Sequence, residues 1–275
     1  MGGTGWMMSA AELSAAATAA RRLAELEWEV TAPSRQTAHM HMALDEVLLE
    51  RVIAGDRRPT MRLWEWTEPA LVIGSHQSVS NEVDVPAAAQ LGFTVTRRMS
   101  GGGTMLCEPG RTITYSVYLP ESTVAGVSFR RSYALLDEWV VRAFVELGVP
   151  ARYREINDIV SPSGKIAGAA QARRRGFLVH HTTIAHSMDV SLVPRLIRIG
   201  RERIAERGVR SAEKDVSPLA WFTSLSCQEV AAHLIRSFRS EFRSREREVS
   251  DDELEAARRL ASAKYATPAW INRLA

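Results

Sequence analysis

The chain has 275 residues, 45% hydrophobic and 24% charged, with a formal net charge of +3. This is an ordinary globular composition, long enough for one large domain or for one domain with a small appendage. The small positive excess comes from arginine and is not gathered in a basic tail, so a nucleic-acid binder is not indicated. Only two cysteines occur, Cys107 and Cys227, far apart and outside any metal-ligand spacing, which excludes a disulfide framework or a zinc site and fits a reducing cytoplasm. No segment reads as a bilayer span or a secretory leader; a cytoplasmic protein is expected.

In chain order, Met1 to Met8 contain three glycines and are expected to be disordered or non-native, and Ser9 to Leu26 reads as an alanine-rich helix. Leu26-Glu27-Trp28-Glu29-Val30 alternates with the period of a half-exposed strand, which Pro33 and Ser34 break. Met42, Leu44, Val47, Leu48 and Val52 set a helix over His39 to Ile53, stopped by Gly55. Met61 to Trp66 and Ala70 to Ile73 read as a hairpin-like pair of strands, and Asp84 to Gln90 as a short helix with Pro86 in its first turn. Phe93-Thr94-Val95-Thr96 is a strand leading into Arg97-Arg98-Met99-Ser100-Gly101-Gly102-Gly103-Thr104-Met105, and Thr112 to Leu119 is a strand leading out. A helix spans Phe129 to Leu147 and ends at Gly148. Ala151 to Val160 is extended, Pro162-Ser163-Gly164 is a turn, and Phe177 to Ile184 and Ala185 to Val190 are strand-like. Helices are expected over Val193 to Arg203, Ser226 to Arg243 and Ser250 to Ala263, the last opened by Ser250 and Glu253 in capping-box spacing. Clustered early strands with helices dominating the C-terminal part predict an α+β fold with mixed or antiparallel sheets flanked by helices.

Consecutive glycines after two arginines and a serine can take positive φ and turn backbone N–H groups toward an anion. A tight hairpin turn would use the same glycines, but a turn needs no guanidinium pair, whereas a phosphate or carboxylate does. Strand alternation puts Arg98 with Thr94 and Thr96, opposite Arg97, Val95 and Phe93; Arg98 is the expected ligand contact and Arg97 the structural one. The loop matches neither the dinucleotide fingerprint nor the Walker pattern. Lysine occurs only at Lys165, Lys214 and Lys264, which singles out Lys165, set between a Ser-Gly turn and Ala167-Gly168-Ala169-Ala170. Such a lysine supplies a point charge to a carboxylate or phosphate. Asn157-Asp158 could bond a ribose or a metal-bound water, or simply form a turn. His180 and His181 alternate on a strand, so one points inward and the two cannot share a metal. Cys107, a few residues past the glycines, reads as a buried small residue, with a nucleophile as the alternative.

Together these pieces resemble the catalytic large domain of the lipoate-protein ligase A family, within the biotin/lipoyl protein ligase superfamily. The resemblance runs through Met42-Ala43-Leu44-Asp45-Glu46, Arg62-Leu63-Trp64-Glu65-Trp66, Val72-Ile73-Gly74, Arg97 to Gly103, Asn157-Asp158, Lys165 to Gln171, His180-His181-Thr182-Thr183 and Lys264-Tyr265-Ala266-Thr267. It implies a class II aminoacyl-tRNA synthetase-like catalytic domain over residues 28–275, C-terminal helices included, after a partly helical extension over 1–27, with no C-terminal accessory domain. It implies that lipoate attacks the α-phosphate of ATP to give lipoyl-AMP and pyrophosphate, and that a lysine of a lipoyl-carrier domain then attacks the mixed anhydride. Lys165 matches the family's essential lysine and would stabilise developing negative charge. Arg98 with Ser100, Gly101, Gly102, Gly103 and Thr104 would wrap the acyl and phosphate portions. Asn157 and Asp158 would sit near the nucleotide or its Mg2+, with Asp158 the candidate metal ligand. Gly168, Ala169 and Ala170 would let the ligand lie against the backbone, and His181 and Thr183 would line the site. ATP and Mg2+ are implied as co-substrates and lipoate as substrate, with no tightly bound prosthetic group. Carrier domains of 2-oxoacid dehydrogenase E2 subunits or of the glycine cleavage H protein are the implied partners, with no nucleic acid or membrane.

The chain departs from the family pattern in three places. His181-Thr182-Thr183 stands where the family usually reads His-Gly-Thr, Cys107 stands where a histidine is frequent, and no counterpart of the smaller C-terminal domain of many bacterial ligases is expected after Ala275. A separate small protein would supply that part, or the enzyme would use an already activated donor. The latter is the rival reading, an octanoyl or lipoyl transferase of the same fold; transferases of that type use an acyl-accepting cysteine in the loop before Asn157, which here reads Tyr153-Arg154-Glu155-Ile156. A non-catalytic lipoyl-ligand-binding homologue is the alternative of another class, and the retained Lys165 argues against it.

Overall fold

A computed structural model of the chain describes residues 9–199, 211–212 and 214–274. Capping and turn chemistry decide the ends of its early elements. A capping box of Ser9 and Glu12 starts α1 (Ala10–Glu25). After β1 (Trp28–Gln36) comes α2 (Ala38–Ala54), closed by Gly55 at φ 80°. Then follow β2 (Thr60–Trp66), β3 (Ala70–Ile73), α3 (Val79–Glu82) and α4 (Val85–Gln90), whose N-cap Asp84 accepts from the Ala87 N–H. The glycine loop lies between β4 (Thr94–Arg97) and β5 (Met105–Cys107). Next are β6 (Thr112–Pro120), α5 (Phe129–Glu146), β7 (Arg152–Arg154), β8 (Asp158–Ser161), β9 (Gly164–Arg174) and β10 (Phe177–Ala185). The described chain closes with α6 (Val193–Leu196), α7 (Cys227–Glu241), β11 (Ser244–Glu246), α8 (Asp251–Leu260) and α9 (Pro268–Ile271), with a π-helical turn over Ala261–Tyr265.

Among the described residues, one mixed sheet of eight strands runs β11-β1-β2-β6-β10-β9-β8-β7, and a separate sheet of three runs β4-β3-β5. The large sheet is covered on both faces. On one face Trp28, Tyr115, Trp139, Phe144 and Phe238 pack with α5 and α7, joined by Ala19 and Leu23 of α1. On the other, residues of α2 and α8 pack against Trp64, Trp66, Tyr118 and Val179. Side chains on both faces of β2, β6 and β10 are therefore buried, as in a strand sandwiched between helix layers. His180 and His181 are both buried for this reason, although alternation alone implied that one points inward.

Several expectations change. Pro33 does not end β1: the strand continues past a register shift between Thr31 and Ser34, the bulge being where a proline without an N–H is tolerated. β2 and β3 do not form a hairpin, because they lie in different sheets. The extended Ala151–Val160 segment splits into β7 and β8 around Glu155-Ile156-Asn157. The strand expected over Ala185–Val190 stops at Ala185. The helix expected over Val193–Arg203 spans only Val193–Leu196, its last residues falling outside the described residues together with Met1–Met8. β11, three residues with no alternation to mark them, was not legible.

Candidate active site

The glycine loop is built around a close approach. A Cβ on Gly74, just after β3, would stand 2.1 Å from the carbonyl oxygen of Gly102, so only glycine lets the loop lie on this strand end; Gly102 itself takes φ +89°. Arg98, 2% exposed, holds the loop from inside. Its Nε donates to the Ser100 hydroxyl at 3.0 Å, and its two terminal nitrogens donate to the carbonyls of Val72 (2.9 Å) and Gly103 (2.8 Å). The guanidinium is thus spent on loop backbone while its charge faces the cavity; burial pulls its pKa down to about 10, still protonated at neutral pH. Arg97 ties the Gly74–Gln77 turn to α9 through carbonyls of Gln77 (2.6 Å) and Ile271 (2.6 Å).

Behind the loop, Ser100, His181 and Asp45 form a buried chain. His181 Nδ1 lies 2.9 Å from Asp45 Oδ2, and its Nε2 lies 2.6 Å from Ser100 Oγ. A carboxylate accepts only, so Nδ1 carries the proton and the Ser100 hydroxyl donates to Nε2. Burial holds the His181 pKa below the ordinary histidine value despite Asp45, so the ring is neutral at pH 7. Asp45 Oδ1 also accepts from Tyr118 (2.5 Å), Ser116 (2.8 Å) and Arg62 (3.1 Å). Ser100 is 1% exposed and lines neither of the two cavities described below; its hydroxyl is a strut for the loop, not a nucleophile.

Lys165 projects from the start of β9 toward Asp158 of β8, with Nζ 2.9 Å from Oδ1. Space for that ammonium exists because residue 168 is glycine: a Cβ there would stand 2.3 Å from Nζ. Gly168 therefore makes room for the Lys165 ammonium and also lines both cavities described below. Lys214 Nζ lies 2.5 Å from the other oxygen, Oδ2, with Arg154 at 3.7 Å. Burial raises the Asp158 pKa, but the two ammonium groups outweigh it and hold the carboxyl below its ordinary value. Lys165 is also held below the ordinary lysine value, pulled down by burial and by Lys214 and Arg98, and pushed up by Asp158. The Asn157 amide donates to the Ala169 carbonyl at 2.5 Å, while the Ala169 N–H returns to the Asn157 carbonyl at 2.9 Å, fixing the β7–β8 connection to β9 just past Gly168.

Residues 211–212 and 214–217 lie across the gap between loop and lysine. Ser211 Oγ accepts from the Thr104 N–H at 3.1 Å, and Val216 pairs with Lys165, whose N–H donates to the Asp215 carbonyl at 2.7 Å. Two cavities meet here. The apolar one is lined by Met105, Leu106, Ile166, Ala167, Met188 and Ile197, with Thr183 in its wall. The polar one is lined by Arg98, Gly102, Gly103, Asn157, Ala169 and Ala170. Thr104, Lys165, Gly168, Ser211 and Lys214 belong to both walls. The arrangement suits a ligand with an apolar chain and an anionic head, the cations standing at the junction.

The structure thus brings Lys165, Arg98, Gly102, Gly103, Thr104, Asn157, Gly168, Ala169, Ala170 and Thr183 to one cavity system, and sets Ser100, Gly101 and His181 behind its wall. Ser211 and Lys214 were missed from the sequence; the scarcity of lysine marked Lys214 as much as Lys165, but nothing in the spacing placed it beside Asp158. Neither thiol reaches the cavities. Cys107 is fully buried, and burial drives its pKa far up; Cys227 borders a different hollow beside Trp66 and Pro109, its pKa pushed up to about 11 by burial.

Residues 37–239 match the lipoyl protein ligase A/B catalytic domain. The octanoyltransferase LipM of Oceanobacillus iheyensis is 31% identical over 202 residues, covering 66% of this chain and 72% of the relative. That of an Exiguobacterium species is 31% identical over 274 residues, covering 90% and 96%. Among solved structures, a bi-partite lipoate protein ligase of Thermoplasma acidophilum, described with its E2 lipoyl domain, aligns with a TM-score of 0.76 at 25% identity over 91% of this chain and 98% of that one.

Proposed function

The chain belongs to the lipoyl protein ligase A/B catalytic-domain family, and from that premise we propose that it activates lipoate with ATP and passes the lipoyl group directly to a lysine of a lipoyl-carrier domain. The carboxylate oxygen of lipoate would attack the α-phosphorus of ATP, breaking its bond to pyrophosphate. The carrier's amine would then attack the acyl carbon, the bond to AMP would break, and the amine would lose a proton as the amide forms. Lys165 would meet the negative charge of both steps, in a cavity where the glycine loop supplies backbone and Arg98 supplies field. The observation that carries the direct route is that, among the described residues, neither Cys107 nor Cys227 lines either cavity wall, since a thioester-linked acyl-enzyme needs a thiol there.

Magnesium would accompany ATP, but Asp158 does not fit as its ligand. Both carboxylate oxygens face ammonium groups, and among the described residues no three His, Cys, Asp or Glu side chains cluster to hold a metal. Asp158 is better suited to holding the lysines in place.

Octanoyl transfer from a preformed thioester is the second reading, favoured by the names of the similar bacterial relatives. Intact-mass measurement after incubation with octanoyl-carrier-protein, without acceptor, separates the two. The direct route gives no acylated enzyme, whereas an added octanoyl mass on the enzyme would overturn it.

Two further results are expected. In Gly168→Ala the new methyl group pushes the Lys165 ammonium off Asp158, so pyrophosphate exchange should fall by about a hundredfold while the melting temperature stays nearly unchanged, because only a side-chain end must move. The alkaline limb of exchange should lie below the ordinary lysine value of about 10.4, because Lys165 must stay protonated and its pKa is depressed. Asp158 pushes that pKa up, so Asp158→Asn should shift the limb to still lower pH.

A further inference from the structure

We infer that Lys214 is a second ligand-binding cation of the site, held beside Lys165 by Asp158 so that the anionic head of the acyl donor meets a pair of ammonium groups. The inference rests on the proposed cavity, and it assigns a residue that the sequence motifs do not. Two of the three lysines in the chain converge on one carboxylate, at 2.9 Å and 2.5 Å on its separate oxygens. Neither is a swinging surface residue. Their side chains are 26% and 31% exposed, and the strand start that bears Lys165 is stitched to the segment that bears Lys214. The Lys165 N–H donates to the Asp215 carbonyl, and the Ser217 N–H donates to the Lys165 carbonyl at 2.8 Å. Gly164 is required for this contact, since a Cβ on it would stand 2.5 Å from the Asp215 oxygen.

Among the described residues, the charges around the junction do not balance. Lys165, Lys214 and Arg154 share Asp158, and Arg98 donates to a hydroxyl and to carbonyls among the described residues rather than to a carboxylate. Like charges gathered in a partly desolvated wall are unfavourable until an anion enters. Lys214 borders both the apolar and the polar cavity, as Lys165 does, so a carboxylate or acyl phosphate at the junction lies within reach of both. One carboxylate for two lysines also fixes their spacing, which gives the anion a preorganised pair instead of two flexible point charges.

The test compares the full-length protein with Lys214→Gln and Lys214→Arg, using octanoate as the anionic probe and octan-1-ol as the neutral one, by calorimetry. Lys214→Gln is expected to weaken octanoate roughly tenfold, the value of one charge-assisted contact, and to leave octan-1-ol unchanged; Lys214→Arg restores octanoate binding. Equal octanoate affinity in wild type and Lys214→Gln would overturn the inference, as would a parallel loss of octan-1-ol, which marks a purely structural role, or no octanoate binding by the wild type. A wild-type protein that shows the octanoate discrimination but no lipoate-dependent pyrophosphate exchange sinks the ligase reading and still supports the cation pair.

Discussion

Lys165→Ala is expected to lower lipoate-dependent pyrophosphate exchange by about a hundredfold to a thousandfold, the cost of removing one preorganised donor to developing negative charge. The expected loss is in kcat more than in the KM for lipoate, because the apolar cavity wall proposed to hold the chain is untouched. The side chain is partly exposed and its one carboxylate partner keeps Lys214, so the fold should tolerate the change and circular dichroism should be unaltered. Lys165→Arg keeps the charge, but its planar fork cannot occupy the pocket over Gly168 that fits a compact ammonium; it should recover only a small part of the activity. Steady-state kinetics of the three proteins would check both statements.

The second large effect concerns stability. Asp45 is 2% exposed, pairs with a fully buried Arg62, and accepts from Ser116, Tyr118 and His181. Asp45→Asn leaves the Arg62 guanidinium without its counter-charge and forces an N–H toward hydroxyl or imidazole donors. Breaking such a buried pair costs about 3 to 5 kcal/mol, readable as a shifted denaturant midpoint. The pH dependence has a definite sign. Burial raises the Asp45 pKa, but His181 and Arg62 outweigh it, so the folded value lies below the ordinary one. Its stabilisation is therefore present above an unfolded value of about 3.9 and is lost as pH falls through the folded value. The acid side of the stability profile should be flatter in Asp45→Asn than in wild type. Because Asp45 orients His181, and His181 accepts from Ser100, the same variant should also loosen the glycine loop.

Much of this was legible in the sequence, for local reasons. Ser9, Gly55, Asp84 and Ser250 set helix ends through contacts only a few residues long, and hydrophobic periodicity carried α2 and α5. The lipoyl-ligase resemblance placed Lys165 and the glycine loop in one site, and the structure brings them to one cavity system. What escaped depended on partners distant in sequence. Nothing local says that β3 leaves β2 to pair with β4 and β5, or that Lys214 reaches Asp158 across 56 residues. Strand alternation gives the face of the Arg98 side chain, which lines the polar cavity, but not its bonds, which hold the loop. Gly168 lines both cavities, and only the three-dimensional contact reveals that it also makes room for the Lys165 ammonium.

The central claim, that this cavity activates lipoate through its own cations rather than receiving a preformed thioester, is tested most directly by pyrophosphate exchange into ATP, with and without a candidate small accessory protein. The expected result is exchange that depends on lipoate and is lost in Lys165→Ala. Carrier-domain acylation from octanoyl-carrier-protein without ATP, with no lipoate-dependent exchange under either condition, would contradict it.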